Sequence, residues 1–217
     1  MSQSAVAHIE TFPPEPVTLF KQLIDAFSKQ SIDGLTLMNL ATVDEEFGVL
    51  NRNVLYRGLS DDDCIIYVTQ RFTRNFKNLH ANTKCSIAFF MPQVVLPSQG
   101  PNPALWQVRL IGATAEELPD SQLDAWWEKE LLSSQIRDYV FPCGQPVEYR
   151  ELVAKHDQFL ADHLASGQPL KRPATYTAFK FRAQRWDFLK AGSGQIPDRV
   201  QYRRQPNGEW LATHVST

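Results

Sequence analysis

Two arginines inside a strand-like run constrain this chain more than any other feature. In Leu50-Asn51-Arg52-Asn53-Val54-Leu55-Tyr56-Arg57-Gly58-Leu59, the residues Val54, Leu55 and Tyr56 suit a pleated, half-buried surface. Gly58 and the acidic run Asp61-Asp62-Asp63 supply the turn that ends it. The planar fork of donors on arginine matches phosphate or carboxylate. The other reading open at this point is an exposed strand face with both arginines solvated. Arg52 and Arg57 stand five apart, so strict alternation sends them to opposite faces. One ligand can meet both only where a bulge, or the end of the strand at Gly58, re-aims one of them.

The rest of the chain supplies many short strands and few helices. Residues 1–14 read as a loose arm, with Pro13, Pro14 and Pro16 marking entry to the first ordered element. Val17, Phe20, Leu23, Ile24 and Phe27 recur at helical spacing. Strands are expected over Leu35 to Val43, Cys64 to Thr69, Cys85 to Met91 and Leu105 to Gly112, with a hairpin connection at Asp44 to Gly48. In the last of these strands Gln107 points away from the Trp106 face. Thr73 is placed as the N-cap of a short helix through Phe76 and Leu79. A helix start beside arginine and hydroxyl side chains is a ready anion site, and Arg74 favours that use over capping alone. Pro92 to Pro103 reads as a long loop. Helices are expected over Leu118 to Leu132 and over about Val147 to Leu164, with Trp126 and Trp127 as packing residues on the first. Three more strands follow at Tyr176 to Phe181, Arg185 to Lys190 and Arg199 to Arg204, the last turning through Asn207-Gly208 into Trp210 to Ala212. This order predicts one mainly β domain over 1–217, a closed or split barrel with helices packed outside it.

Charge and cysteine usage narrow the function. The formal net charge of −2 provides no global basic field for nucleic acid or an anionic membrane, so any anion site must be local. No apolar run approaches the roughly 18 residues of a spanning helix, and the start lacks the apolar segment of a signal peptide, so a cytoplasmic protein is expected. Three cysteines without a C-x-x-C pair argue against a disulfide framework or zinc knuckle; Cys64 and Cys85 read as small buried hydrophobes. His156 and His163 are seven apart, too wide for a two-histidine clip on one helix, and no metal site is expected.

Read together, these segments resemble the pyridoxine/pyridoxamine 5′-phosphate oxidase family from about Pro14 to Trp210. Arg52-Asn53-Val54-Leu55-Tyr56-Arg57 is similar to the family's R-x-V-L-x-K strand, with arginine in place of the last lysine. Val68-Thr69 and Thr73-Arg74-Asn75 resemble its aromatic-Thr and Ser-Arg-Lys steps, and Trp106-Gln107-Val108 through Gly112 its R-Q-V-x-x-x-G strand. Asp187-Phe188-Leu189 and Gln195-Ile196-Pro197-Asp198-Arg199 stand where the family has E-F-W and R-L-H-D-R. The resemblance implies an FMN-binding split β-barrel, a homodimer with flavin at the subunit interface. It implies cofactor contacts from Arg52, Asn53, Val54, Leu55, Arg57, Val68, Thr69, Thr73, Arg74, Gln107, Arg199 and, with a two-residue insertion, Gln145.

The departures from that pattern bear on substrate more than on cofactor. On the cofactor side a lysine is replaced by Asn75, a tryptophan by Leu189 and a serine by Pro146. Where the family clamps the vitamer phosphate with tyrosine, arginine and serine, this chain offers Trp126, Glu130 and Ser134. The positions of the family's catalytic arginine and histidine carry Gln195 and Pro197, which supply neither a cation nor a titrating imidazole. The expectation is an FMN-binding oxidoreductase with an unidentified small-molecule substrate and little activity on B6 phosphates. The alternative is a non-enzymatic descendant that keeps barrel and dimer as a binding or interaction protein. The catalytic residues and the electron donor or acceptor are not assigned by this reading.

Overall fold

A computed structural model describes residues 5–30 and 34–217. Its strands are β1 (Ala5–Val6), β2 (Leu37–Asp44), β3 (Gly48–Leu55), β4 (Ile65–Gln70), β5 (Lys84–Val94), β6 (Ala104–Glu117), β7 (Tyr176–Arg182), β8 (Arg185–Ala191), β9 (Gln195–Ile196), β10 (Asp198–Arg204) and β11 (Trp210–His214). Its helices are α1 (Pro16–Ser28), α2 (Arg74–Ala81), α3 (Asp120–Trp127), α4 (Leu132–Val140) and α5 (Tyr149–Ser166).

The long strand β6 organises the sheet. Leu105 to Ile111 pair with β8, and Thr114 to Glu117 pair with β7. Between the two stretches the buried positions change phase, from Trp106, Val108 and Leu110 to Ala113 and Ala115. The cause is a bulge opposite β5, where Cys85 pairs with Ala113 but Ile87 pairs with Leu110. Gly112 sits in the bulge at φ +63°, a conformation that a side chain would strain. The bent half of β6 closes a ring. β6 continues through β7 to β4; β4 joins the segment that follows β3 through Ile66 N–H to Gly58 O at 2.9 Å; β3, β2 and β5 return to β6. The straight half instead carries β8, β10 and β11 outward as a wing. The ring is thereby split along β6, and the expected barrel is present.

Burial explains the layers. Every residue of β4 is buried, because Ile65 and Tyr67 face the barrel core while Ile66 and Val68 pack with Leu118, Leu123, Trp127 and Tyr176. Helix α1 plugs the barrel with Leu19, Phe20 and Leu23, and the Phe20 ring meets Tyr56, Phe89 and Trp186.

Three local expectations are corrected. Residues 1–4 of the anticipated arm lie outside the described residues, but 5–14 are not loose. Ala7 and Ile9 are buried, β1 pairs in parallel with β9, and the Ile9 N–H donates to Asp198 Oδ2 at 2.8 Å. The two-residue spacing of Ala7 and Ile9 is a strand signal that the nearby prolines obscured. The helix expected over Leu118 to Leu132 stops at Trp127, and α4 begins at Leu132. An unbroken helix would place Leu131 on the buried Trp127 face, four residues on. The break instead leaves Leu131 exposed and turns Glu130 inward to an ion pair with Arg57. Finally, β5 runs on to Val94 and a 3-10 turn occupies Pro97–Gln99, with Gln99 buried, so half of Pro92 to Pro103 is regular structure.

Candidate functional site

The end of β3 re-aims its second arginine. The strand stops at Leu55, and Arg57 lies past it in the segment that crosses to β4, with Gly58 at φ +126°. Arg52 remains on the strand, where its Nη1 donates to Leu40 O at 3.2 Å and Thr42 Oγ1 at 2.7 Å. Arg57 enters a cleft of about 290 Å³ instead. That cleft is walled by Asn53, Val54 and Leu55 of β3, by Tyr67, Val68, Thr69 and Gln70 of β4, by Thr73 and Asn75 at the head of α2, by Arg137 and Asp138 of α4, and by Cys143.

The head of α2 is built by its cap. Thr73 Oγ1 accepts from the Phe76 N–H at 3.2 Å, bonds Thr69 Oγ1 at 2.9 Å and donates to Gln70 O at 2.8 Å. Gln70 in turn donates to the Asp138 carbonyl at 3.0 Å, tying β4 to α4. Asn75 donates to the Tyr67 hydroxyl at 2.7 Å. Arg74 projects into a neighbouring cavity with Gln145, where Nε and Nη2 grip Asp44 at 2.7 and 2.8 Å and Nη2 also reaches Glu46 at 2.6 Å. Those bonds to Arg74, helped by the Phe47 and Glu46 N–H groups and Asn78, hold the Asp44 carboxyl far below the usual range despite its burial.

A second charged group closes the inner end. Arg57 Nη2 lies 2.6 Å from Glu130 Oε2 and 3.4 Å from Ser134 Oγ, with side chains only 13% and 3% exposed for the ion pair. The Arg57–Glu130 contact is close but not aligned as a hydrogen bond, and Arg57 Nε and the Tyr176 hydroxyl have no hydrogen-bond partner among the described residues. Burial raises the Glu130 carboxyl above its ordinary value against the opposing pull of Arg57 and Arg137. Asp138, held by Arg137 at 3.1 Å, is raised by burial in the same way.

The structure brings together seven of the residues expected to hold a cofactor, Asn53, Val54, Leu55, Arg57, Val68, Thr69 and Thr73, and sets Arg74 and Gln145 in the adjoining cavity. Gln107 and Arg199 are elsewhere. They stand in one cross-strand row, Phe90–Gln107–Leu189–Arg199, on β5, β6, β8 and β10. Of the expected substrate residues, Ser134 contacts Arg57 and the Trp126 ring packs by Gly58, while Gln195 is exposed in β9 on the wing side. Sequence reasoning missed Gln70, Arg137 and Asp138 as wall residues. The Asp138 contact depends on α4, which Ser133, Ser134, Ile136 and Val140 made hard to see as a helix.

A barrel split along one long strand, with a polar cleft between barrel and outer helices, places the chain in the split-barrel class. The chain belongs to the pyridoxamine 5′-phosphate oxidase family, whose model matches residues 24–190. It is 25% identical over 202 residues to the pyridoxine/pyridoxamine 5′-phosphate oxidase of Methylibium petroleiphilum, covering 93% of this chain and 88% of that one. It is 28% identical over 198 residues to the enzyme so named from Rhizobium johnstonii, with 90% and 89% covered. Among solved structures it is similar to PhzG from Burkholderia lata, in complex with tetrahydrophenazine-1-carboxylic acid, at a TM-score of 0.74 and 21% identity, covering 94% of each chain. It is also similar to a pyridoxamine 5′-phosphate oxidase-related, FMN-binding protein of Nostoc punctiforme, at a TM-score of 0.67 and 15% identity, covering 95% and 99%. Both solved neighbours share the fold of this chain.

Proposed function

We propose that this chain is an FMN-dependent oxidoreductase that acts on a small molecule other than a B6 phosphate. The observation that carries the reading is the convergence of seven expected cofactor residues on one cleft. The donor set suits a flavin. Among the described residues Arg57 Nε is a buried donor without a hydrogen-bond partner, and Thr69, Thr73 and the start of α2 offer hydroxyls and backbone N–H groups for a phosphate, with Arg52 and Arg74 nearby. When bound, the isoalloxazine supplies the redox chemistry, and the chain's residues orient it and exclude water.

The size of the cleft favours a homodimer. At about 290 Å³ it lies at the bottom of the range for ligand pockets, too small to enclose a flavin within one chain. The Gln107–Leu189–Arg199 row lies outside that cleft and includes the exposed ring of Phe90, so a second copy is the natural source of those contacts. The substrate departs from the family's because Glu130 occupies Arg57, leaving no free cation at the inner end to fix a phosphate. Among the described residues no helix is long and apolar enough to cross a membrane, and the reading carries a cytoplasmic location with no nucleic-acid or membrane partner.

A second reading, a binding protein without turnover, is favoured by Asn75, whose amide is committed to Tyr67 where the family has a lysine. The visible spectrum of the purified chain after gel filtration with FMN decides the cofactor. Retained flavin absorbance in a particle of two chains is expected, and a colourless monomer at micromolar concentration would defeat the proposal. Loaded protein is then mixed with pyridoxamine 5′-phosphate under single-turnover conditions. Formation of pyridoxal 5′-phosphate at the rate of an ordinary family oxidase would show the assigned role of Glu130 to be wrong.

A further inference from the structure

The family pattern loses an imidazole at Pro197, yet two histidines from elsewhere in the chain flank the next residue. His214 Nδ1 lies 3.0 Å from Asp198 Oδ1, and His8 Nδ1 lies 3.6 Å from Asp198 Oδ2. The two rings stack at 5.3 Å with planes 16° apart. Ligating atoms of all three residues lie within 4.8 Å of one another. We propose that His8, Asp198 and His214 bind one divalent transition-metal ion of the Zn²⁺ class, completed by water.

Three observations support the site. The first is convergence. His8 follows β1, Asp198 opens β10 and His214 ends β11, so the ligands come from remote segments positioned by backbone pairing: β1 with β9, and Val200 opposite His214. The second is spacing. Bonds of about 2.0–2.1 Å in a tetrahedron set ligand atoms roughly 3.3–3.4 Å apart, close to the 3.0 and 3.6 Å that separate the two imidazole nitrogens from the two oxygens of Asp198. The His8 contact is beyond hydrogen-bond range, so the carboxylate does not hold that ring; it stands at ligand spacing. The third is orientation from behind. Asp198 Oδ2 accepts the Ile9 N–H at 2.8 Å, and the Phe12 and His214 rings meet in a T-shaped contact at 5.5 Å between centroids, the kind of support that fixes ligand geometry.

Two imidazoles and one carboxylate select borderline cations such as Zn²⁺ or Co²⁺ over Mg²⁺ or Ca²⁺, which take all-oxygen shells. Three protein ligands at the surface leave a position open to water. The ion would staple the N-terminal segment to the end of the C-terminal hairpin. The sequence concealed the site because its ligands are 190 and 16 residues apart and one lies in the apparent arm.

The test uses the untagged full chain, stripped with chelator and titrated with Co²⁺ while visible absorption is recorded, followed by displacement with Zn²⁺. One Co²⁺ per chain is expected, with a d–d band of three- or four-ligand geometry and a rise in melting temperature. His8→Ala and His214→Ala should each weaken binding about tenfold or more, and the double variant should lose both the band and the rise while keeping the far-ultraviolet spectrum of the parent. Cys143→Ser, which removes the exposed thiol, should bind as the parent does. Absence of saturable binding at micromolar Co²⁺, a band that survives in the double variant, or one that vanishes in Cys143→Ser would each overturn the proposal.

Discussion

Two arginine–carboxylate pairs, one at the inner end of the cleft and one at the rim where the neighbouring cavity adjoins it, have carboxyls shifted in opposite directions. At the inner end, Arg57 and Glu130 are both buried, the contact is poorly aligned, and burial lifts the carboxyl above its ordinary value. At the rim, Asp44 is as buried as Glu130, at 2% side-chain exposure, but receives two aligned bonds from Arg74 and others from backbone and Asn78, and its carboxyl is lowered. The difference is which effect leads: aligned donors outweigh desolvation at Asp44, whereas desolvation outweighs the pull of Arg57 at Glu130. It also separates the roles. The inner arginine is neutralised, whereas Arg74 keeps a side chain 47% exposed, which under the proposed function leaves it open to a ligand phosphate.

The inner pair should be the easier to break. Glu130→Ala leaves the buried Arg57 guanidinium with only the more distant Asp138 as counter-charge, and loss of one partner of a buried pair costs about 3–5 kcal/mol. Urea denaturation is the measurement. A loss under about 1 kcal/mol would mean that water reaches Arg57 and that the inner end is not closed.

At the rim the expected effect is on ligand binding. Arg74→Ala and Arg52→Ala should each weaken FMN about 10- to 100-fold, the size of one charge-assisted phosphate contact, read by fluorescence quenching on titration. Unchanged affinity in both would remove the phosphate from the head of α2.

The opposite titrations can be separated by pH. Glu130 is raised, so the stability it contributes is complete below its ordinary value of 4.5 and falls as pH rises through its folded value. Asp44 is lowered, so its contribution is present above the ordinary 3.8 and is lost as pH falls toward its folded value. Glu130→Gln should therefore flatten the stability profile only above about pH 4.5, and Asp44→Asn only below about pH 4. Profiles altered on the same limb by both would contradict the contrast between the pairs.

Much of this was legible beforehand, unevenly. The strands and the Thr73 cap follow from alternation and from a hydroxyl placed before a helical pattern. The cleft's β3 and β4 residues follow from the motif order in the sequence. What escaped depends on tertiary choice. Nothing local says that Glu130 turns inward and breaks a helix, or that α4 then delivers Arg137 and Asp138 to the cleft. Nor does spacing reveal that Arg74 spends its donors on Asp44, since the two are 30 residues apart and meet only through the fold. Residues 5–14 were misread because proline content outweighed a short alternation.

The smallest predicted effect tests whether the rim is held by Asp44 alone. Glu46 also contacts Arg74 at 2.6 Å, a distance that by itself suggests a strong pair. Its side chain is 64% exposed, however, and that of Arg74 is 47% exposed, so water screens the interaction and ordering two flexible chains offsets most of its gain. Glu46→Ala should leave the denaturation midpoint within error. Because the carboxylate competes with a ligand phosphate for the same nitrogen, the variant should bind FMN slightly more tightly, by less than about threefold and only at low ionic strength. A clear loss of stability, or weaker FMN binding at low salt, would show that Glu46 orders the Asp44–Arg74 grip and that the rim pair is a three-residue unit.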